Sequence, residues 1–321
     1  MVSSPRAVRP VTRLVDGLVR AYLPHPDAVG VLSPAVTFRP PPDDDVVSHT
    51  AATDLRHAYC TTLDAALCVT ADGTLLWRSP FEPPANEVFG HRPGCELSTD
   101  GQVLWVYRPD AMAGRGRPDQ WIALDAATGE VLARADLETV GHGGVQLAHP
   151  AGAQMLLNVG EGQDGSVVHR ASVTGGRIEL VTYPWDDRCL IDLSPDGHRF
   201  LTVDHAQNDL AVHAFPGGEV LFTLTAADFG HDPDTVFLEW SGGHLTEDTL
   251  LATLVGQDED EEDWFRHYLL DARTGHVHGE FDTRTTDPYD LHPLGDGSWL
   301  TTGPGGHPVR HTDSPYPGAT S

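Results

Sequence analysis

Leu190-Ile-Asp-Leu-Ser-Pro-Asp-Gly197 is a short apolar run closed by a tight turn. The shape recurs as Cys95-Glu-Leu-Ser-Thr-Asp-Gly101, Val145-Gln-Leu-Ala-His-Pro-Ala-Gly152, Phe237-Leu-Glu-Trp-Ser-Gly-Gly243 and Leu291-His-Pro-Leu-Gly-Asp-Gly297. From Gly101 through Gly152, Gly197, Gly243 and Gly297 the intervals are 51, 45, 46 and 54 residues. A second mark follows inside each unit: a strand, a glycine turn and another strand. It reads Ile122-Ala-Leu-Asp-Ala-Ala-Thr-Gly-Glu-Val-Leu132, Val212-His-Ala-Phe-Pro-Gly-Gly-Glu-Val-Leu221 and Leu269-Leu-Asp-Ala-Arg-Thr-Gly-His-Val277, with Cys68-Val-Thr-Ala-Asp-Gly-Thr-Leu-Leu-Trp77 one unit earlier. Each unit therefore holds four short strands. The 33 glycines and 25 prolines supply turns at the density this pattern needs.

A repeat of 40–50 residues with four strands is the signature of a β-propeller blade. A single blade cannot bury both its faces, so blades stack on one another. The repeats resemble bacterial β-propellers of the WD-repeat-like kind, through Leu193-Ser-Pro-Asp-Gly197, and of the quinoprotein-like kind, through Leu124-Asp-Ala-Ala-Thr-Gly-Glu-Val-Leu132. The resemblance spans roughly residues 46 to 313 and concerns the fold. No Gly-His…Trp-Asp pair recurs from unit to unit, and the tryptophans do not recur as quinone docking requires. Full units run over 46–90, 91–138, 139–185, 186–230 and 231–284. A shorter one begins at 285 and has room for three strands, the fourth coming from Val29–Leu32 or Ala35–Phe38. The expected fold is all-β, a propeller of six four-stranded blades, with five or seven as the alternatives.

Ahead of the repeats, Val11, Leu14, Val15, Leu18, Val19 and Tyr22 fall on one face at helical spacing. Thr12 can cap that helix, and Pro24 and Pro26 stop it. The expected organisation is a helical segment over 1–28, one propeller domain over 29–313 closed by an N-terminal strand, and a flexible tail over 314–321.

The charge narrows the function. There are 20 basic and 47 acidic side chains, a net −27, and protonating all 18 histidines would leave −27 + 18 = −9. Every basic residue is arginine. A chain without lysine has no Gly-Lys-Ser/Thr phosphate loop and no Schiff-base lysine. Nucleic acid is an unexpected partner for so acidic a chain. No apolar run approaches the roughly 18 residues of a membrane helix, and no signal peptide is recognisable, so the expectation is a cytoplasmic protein that does not engage a membrane. The four cysteines match no zinc spacing. Nucleophile-elbow, His-Glu-x-x-His and Cys-x-x-Cys motifs are absent. Gly160-Glu-Gly-Gln-Asp-Gly165 links two strands rather than opening a helix, so it reads as a hairpin. His276-x-His278 places two imidazoles on one strand face but lacks an identified third ligand.

Two groups of loop residues remain as candidates. As the propeller resemblance implies, the loops leading into the inner strands share a face with the middle hairpin loops. The first set supplies His91, His142, Asp187, Arg188, His231 and Asp287, a candidate channel-mouth site. The hairpin loops supply Arg108, Arg115 and Arg117 in one unit, and Asp258, Glu259, Asp260, Glu261, Glu262, Asp263 and Trp264 in another, as candidate partner-binding loops. The reading these favour is a non-catalytic scaffold that binds a protein partner, with no cofactor. The alternative is a metal-dependent hydrolase or lactonase, similar to gluconolactonase-type propellers, or a small-ligand sensor. In that case His91, His142, Asp187, His231 and Asp287 would surround a divalent metal or a small-molecule ligand.

Overall fold

The computed structural model describes residues 9–86, 90–152, 154–185, 187–258, 260 and 262–312. The chain is an all-β propeller of seven antiparallel sheets, six four-stranded and one three-stranded. It divides into two compact units: residues up to 28, 32–164 and 169–182, and residues 29–31, 165–168 and 183 onward.

The first unit begins with β1 (Val11–Val15) and β2 (Leu18–Tyr22); after β3 (Gly30–Val31), β4 (Val36–Phe38) completes a sheet in the order β1-β2-β4. This sheet corrects two expectations at once. Among the described residues there is no α-helix, and the blade count is seven, not six. The physical reason lies at Asp16-Gly17. Both residues have positive φ, 54° and 72°, and Val15 pairs with Leu18 across them. An Asp-Gly pair between β-branched runs forms a two-residue hairpin whose twist suits the strands, and this outweighs the helical spacing. The following sheets are β5 (Ser48–Ala51), β6 (His57–Thr61), β7 (Ala65–Thr70) and β8 (Leu75–Pro80); then β9 (Gly94–Leu97), β10 (Val103–Arg108), β11 (Asp119–Asp125) and β12 (Val131–Leu137). The next sheet is β13 (Gly143–Ala148), β14 (Gln154–Gly160), β15 (Ser166–Thr174) and β16 (Arg177–Thr182).

The second unit holds β17 (Arg188–Leu193), β18 (Arg199–Asp204), β19 (Asp209–Ala214) and β20 (Val220–Thr225), then β21 (Val236–His244), β22 (Thr249–Gln257), β23 (Asp263–Asp271) and β24 (Val277–Glu280). Its third sheet is β25 (His292–Pro293), β26 (Trp299–Thr302) and β27 (Pro308–His311), with β3 as the fourth strand through Val309↔Val31 and Arg310↔Gly30. The tail from 314 lies outside the described residues.

β10 is apolar on both faces because it packs into a cluster on each side. On β10, Leu104 and Val106 enter a cluster with Tyr59, Cys68 and Trp77. Trp105 and Tyr107, alternating with them, enter another with Trp121, Met155 and Leu157. Cys60, Cys68, Cys95 and Cys189 are free thiols, the first three buried.

The two sequence marks are two side-chain-locked turns. In the first, Ser98 Oγ donates to Asp100 Oδ1 and accepts from the Val103 amide; Ser194, Asp196 and Arg199 repeat this. In the second, Asp125 Oδ1 accepts from the amides of Ala127 and Thr128 and from the Thr128 hydroxyl, and Asp271 does the same with Arg273 and Thr274. Glycine closes that turn for two reasons. Gly129 has φ +74°, and a Cβ there would lie 2.6 Å from the Trp77 ring; Gly275, at φ +75°, meets Phe222 at 2.8 Å. Asp271→Ala removes the acceptor of three hydrogen bonds and should lower stability by about 1–2 kcal/mol, read as a fall in the urea midpoint. Asp271→Asn, which keeps an acceptor, should recover part of it.

The register between third and fourth strands slips at Cys68/Val69, Ala123/Leu124, Val212/His213 and Leu269/Leu270. A bulge at a sheet's outer edge twists it away from flat pairing with another chain.

Candidate functional site

In the first unit the three arginines of the β10–β11 hairpin turn inward. Asp110, fully buried, accepts from Arg108 Nε and Arg115 Nη1, both at 3.1 Å, and Arg117 Nε lies 3.3 Å from its other oxygen. Arg115 also donates to the carbonyls of Leu63 and Pro83, and the Arg117 guanidinium donates to that of Glu82. Phe81 lies beneath Arg108, 4.7 Å from ring centroid to guanidinium carbon. Arg108 and Arg115 are buried, so they brace the hairpin against the loops beside it and present no charge to a partner. Burial, the largest influence, lowers the Arg108 pKa to about 10, against the pull of Asp110. Sequence reasoning could not see Asp110 gathering these arginines, one of which, Arg108, is the last residue of β10.

His91 is buried beside this network with neither ring nitrogen hydrogen-bonded. Burial first, and Arg115 second, hold its pKa below the usual histidine value. His142 Nδ1 donates to the Gly90 carbonyl at 2.7 Å, and the Arg92 amide donates to the His142 carbonyl. The two histidines thus belong to neighbouring loops tied together by backbone. Nearby, Ser48, Arg92 and Asn158 help line a cleft of about 420 Å³.

In the second unit Arg188 is engaged by Asp209 and Thr202, both at 2.7 Å. His231 Nε2 is 2.7 Å from the Tyr268 hydroxyl, and its ring lies 5.3 Å from that of Trp264, over which Arg266 sits at 4.8 Å. The acidic hairpin begins there. Asp258 Oδ1 accepts from the amides of Asp260 and Glu262, and Asp263 accepts from Gln257 Nε2. Asp258, Asp260, Glu262 and Asp263 are exposed; Glu259 and Glu261 lie outside the described residues.

Asp187 and Asp287 border a cluster that sequence reasoning missed. Asp187 adopts a left-handed backbone, φ +70°, and its Oδ1 is buried without a hydrogen bond, 3.5 Å from His205 Nδ1. The His205 ring lies 5.6 Å from that of Trp240, whose Nε1 donates to the Asp204 carbonyl. Glu239, 8% exposed, accepts on Oε1 from Gln207 Nε2 (3.0 Å), the Trp240 amide (2.7 Å) and the Tyr289 hydroxyl (2.6 Å). Asp287 accepts from the Tyr289 amide. Partial burial first, then the Glu239 carboxylate, push the Tyr289 hydroxyl pKa up, so it stays a donor. The available signal was a glutamate inside an apolar inner strand, Phe237-Leu-Glu-Trp.

Among the described residues, no three His, Cys, Asp or Glu side chains converge in a way that could hold a metal ion. That includes His276 and His278, whose rings are 5.1 Å apart. None of the described helices is long and apolar enough to cross a membrane.

No family model matches the chain, and no curated protein does. Solved structures do match. Hydrazine synthase of Kuenenia stuttgartiensis aligns over 80% of this chain and 73% of its own, at 11% identity and a TM-score of 0.54. The Dos1 propeller aligns over 93% of this chain and 79% of its own, at 10% identity and a TM-score of 0.54. Likeness at such identities is one of fold.

Proposed function

We propose that the chain is a non-catalytic propeller that scaffolds a protein partner, engaging a basic surface through the acidic β22–β23 hairpin. The observation that carries this reading is the exposed run of carboxylates at Asp258, Asp260, Glu262 and Asp263, beside the Trp264–His231–Arg266 stack. The net charge of −27 supports it, since like charge repels acidic partners and steers basic ones. So does the inward turn of Arg108 and Arg115, which withdraws positive charge from the surface.

Capture of the tagged protein's partners from its own host's lysate tests the reading, with mass spectrometry at low and high salt. A stoichiometric basic partner should be retained at low salt and released near 1 M salt, where the screening length falls to about 3 Å. A variant carrying Asp258→Asn, Asp260→Asn, Glu262→Gln and Asp263→Asn should not retain it. Equal capture by variant and wild type, or retention of no stoichiometric partner, would count against the scaffold.

A further inference from the structure

We propose that Glu239, Trp240 and Tyr289 form a receptor site for an organic cation, a guanidinium or alkylammonium group, with the Glu239 carboxylate as its counter-ion.

Glu239 is over nine-tenths buried, yet its partners are all neutral: a glutamine amide, a backbone amide and a phenol. A buried carboxylate is costly unless its charge is met or both its oxygens are filled by hydrogen bonds. Asp119 shows what a self-sufficient one looks like in this chain. It takes the Ala111 amide on Oδ1, and the Tyr107 and Thr139 hydroxyls and the Gly141 amide on Oδ2. Glu239 instead gathers all three donors on Oε1, and among the described residues none donates to Oε2. The three donors hold the carboxylate in place and leave one oxygen for a ligand. Asp110, fully buried, has its charge met by arginines; none of the described residues gives Glu239 a countercharge.

The surroundings select the kind of cation. Tyr289 is 58% exposed and Trp240 37% exposed, both unusually open for aromatic rings; Tyr289 reaches Glu239 through its hydroxyl and Trp240 through its backbone amide. Aromatic faces attract large, weakly hydrated organic cations. A small metal ion needs several oxygen ligands, and no such group exists among the described residues. Asp187 adds a second carboxylate along the same run of contacts, through His205 and Trp240.

The residues are distinct from the acidic hairpin, and the test needs no protein partner. Calorimetric titration of the full chain with N-acetyl-arginine amide and N-acetyl-lysine amide should show saturable binding of at least one. The neutral citrulline analogue should bind at least about tenfold more weakly. Glu239→Gln should cost at least about tenfold in affinity, and Tyr289→Leu, at an exposed position, several-fold. If Glu239→Gln does not fold, the Tyr289 variant and the citrulline comparison decide. A pentapeptide with a central arginine or lysine distinguishes the source. Binding about tenfold tighter than the blocked amino acid means the cation arrives on a polypeptide, and equal binding means a free small cation. The hairpin-neutralised chain should bind the probes unchanged, so this site and the scaffold reading can fail separately. Absence of saturable binding up to about 10 mM, a range that spans weak single-group contacts, would overturn the site. So would equal affinity for citrulline, or affinity unaffected by both substitutions.

Discussion

Asp110→Ala should destabilise the protein by roughly 3–5 kcal/mol, the cost of leaving buried charge without its partner. The substitution frees two buried guanidinium groups, Arg108 and Arg115, and a third, Arg117, from the one carboxylate they share. Arg115 would keep its backbone carbonyls and the partly exposed Asp64 carboxylate, so the loss falls most heavily on Arg108. Urea unfolding of Asp110→Ala and Asp110→Asn would measure the loss. Adding Arg108→Met to Asp110→Ala should restore part of it, because one unpaired cation is removed while its stem is replaced. A loss below about 1 kcal/mol, typical of a surface ion pair, would mean the three arginines are solvated rather than interior.

Acid should unfold the protein well before its carboxylates titrate. His169, His213 and His267 are buried, and burial, the largest cause in each, lowers their pKa to about 4. An unfolded histidine titrates near 6.5. Between those values the unfolded chain takes up protons that the folded chain refuses. Stability is therefore unaffected above pH 6.5 and falls progressively as the pH drops toward 4. Each group contributes a slope of about 1.4 kcal/mol per pH unit. The three together should cost about 4–6 kcal/mol between pH 7 and pH 5. Urea midpoints measured from pH 7.5 to 5 would test this, and His267→Gln should flatten the slope by about one proton. A stability that stays level from pH 7 to 5 would rule it out.

The repeats were legible because their turns are local. Ser-x-Asp-Gly and Asp-x-x-Thr-Gly each close with bonds between residues at most five apart, so the letters carry the geometry. The first sheet was not legible. It bears neither mark, and its apolar residues fit a helix until Asp16-Gly17 is read as a turn. The candidate site was legible only in part. Loop position follows from the repeats, but burial depends on residues far away in the chain. Tyr289 reaches Glu239 across 50 positions, and Arg115 reaches Asp64 across 51. No local pattern announces such a meeting.

The pairing of Val31 with Val309 sets a schedule for synthesis. The two residues are 309 − 31 = 278 positions apart. At about 5–20 residues per second, Gly30–Val31 leaves the ribosome roughly a quarter of a minute to a minute before its partner strand exists. Until β27 emerges, β3 has no strand to pair with and stays an unclaimed edge. A nascent chain arrested before Pro308 should therefore leave residues 29–31 open to a protease that the finished protein resists.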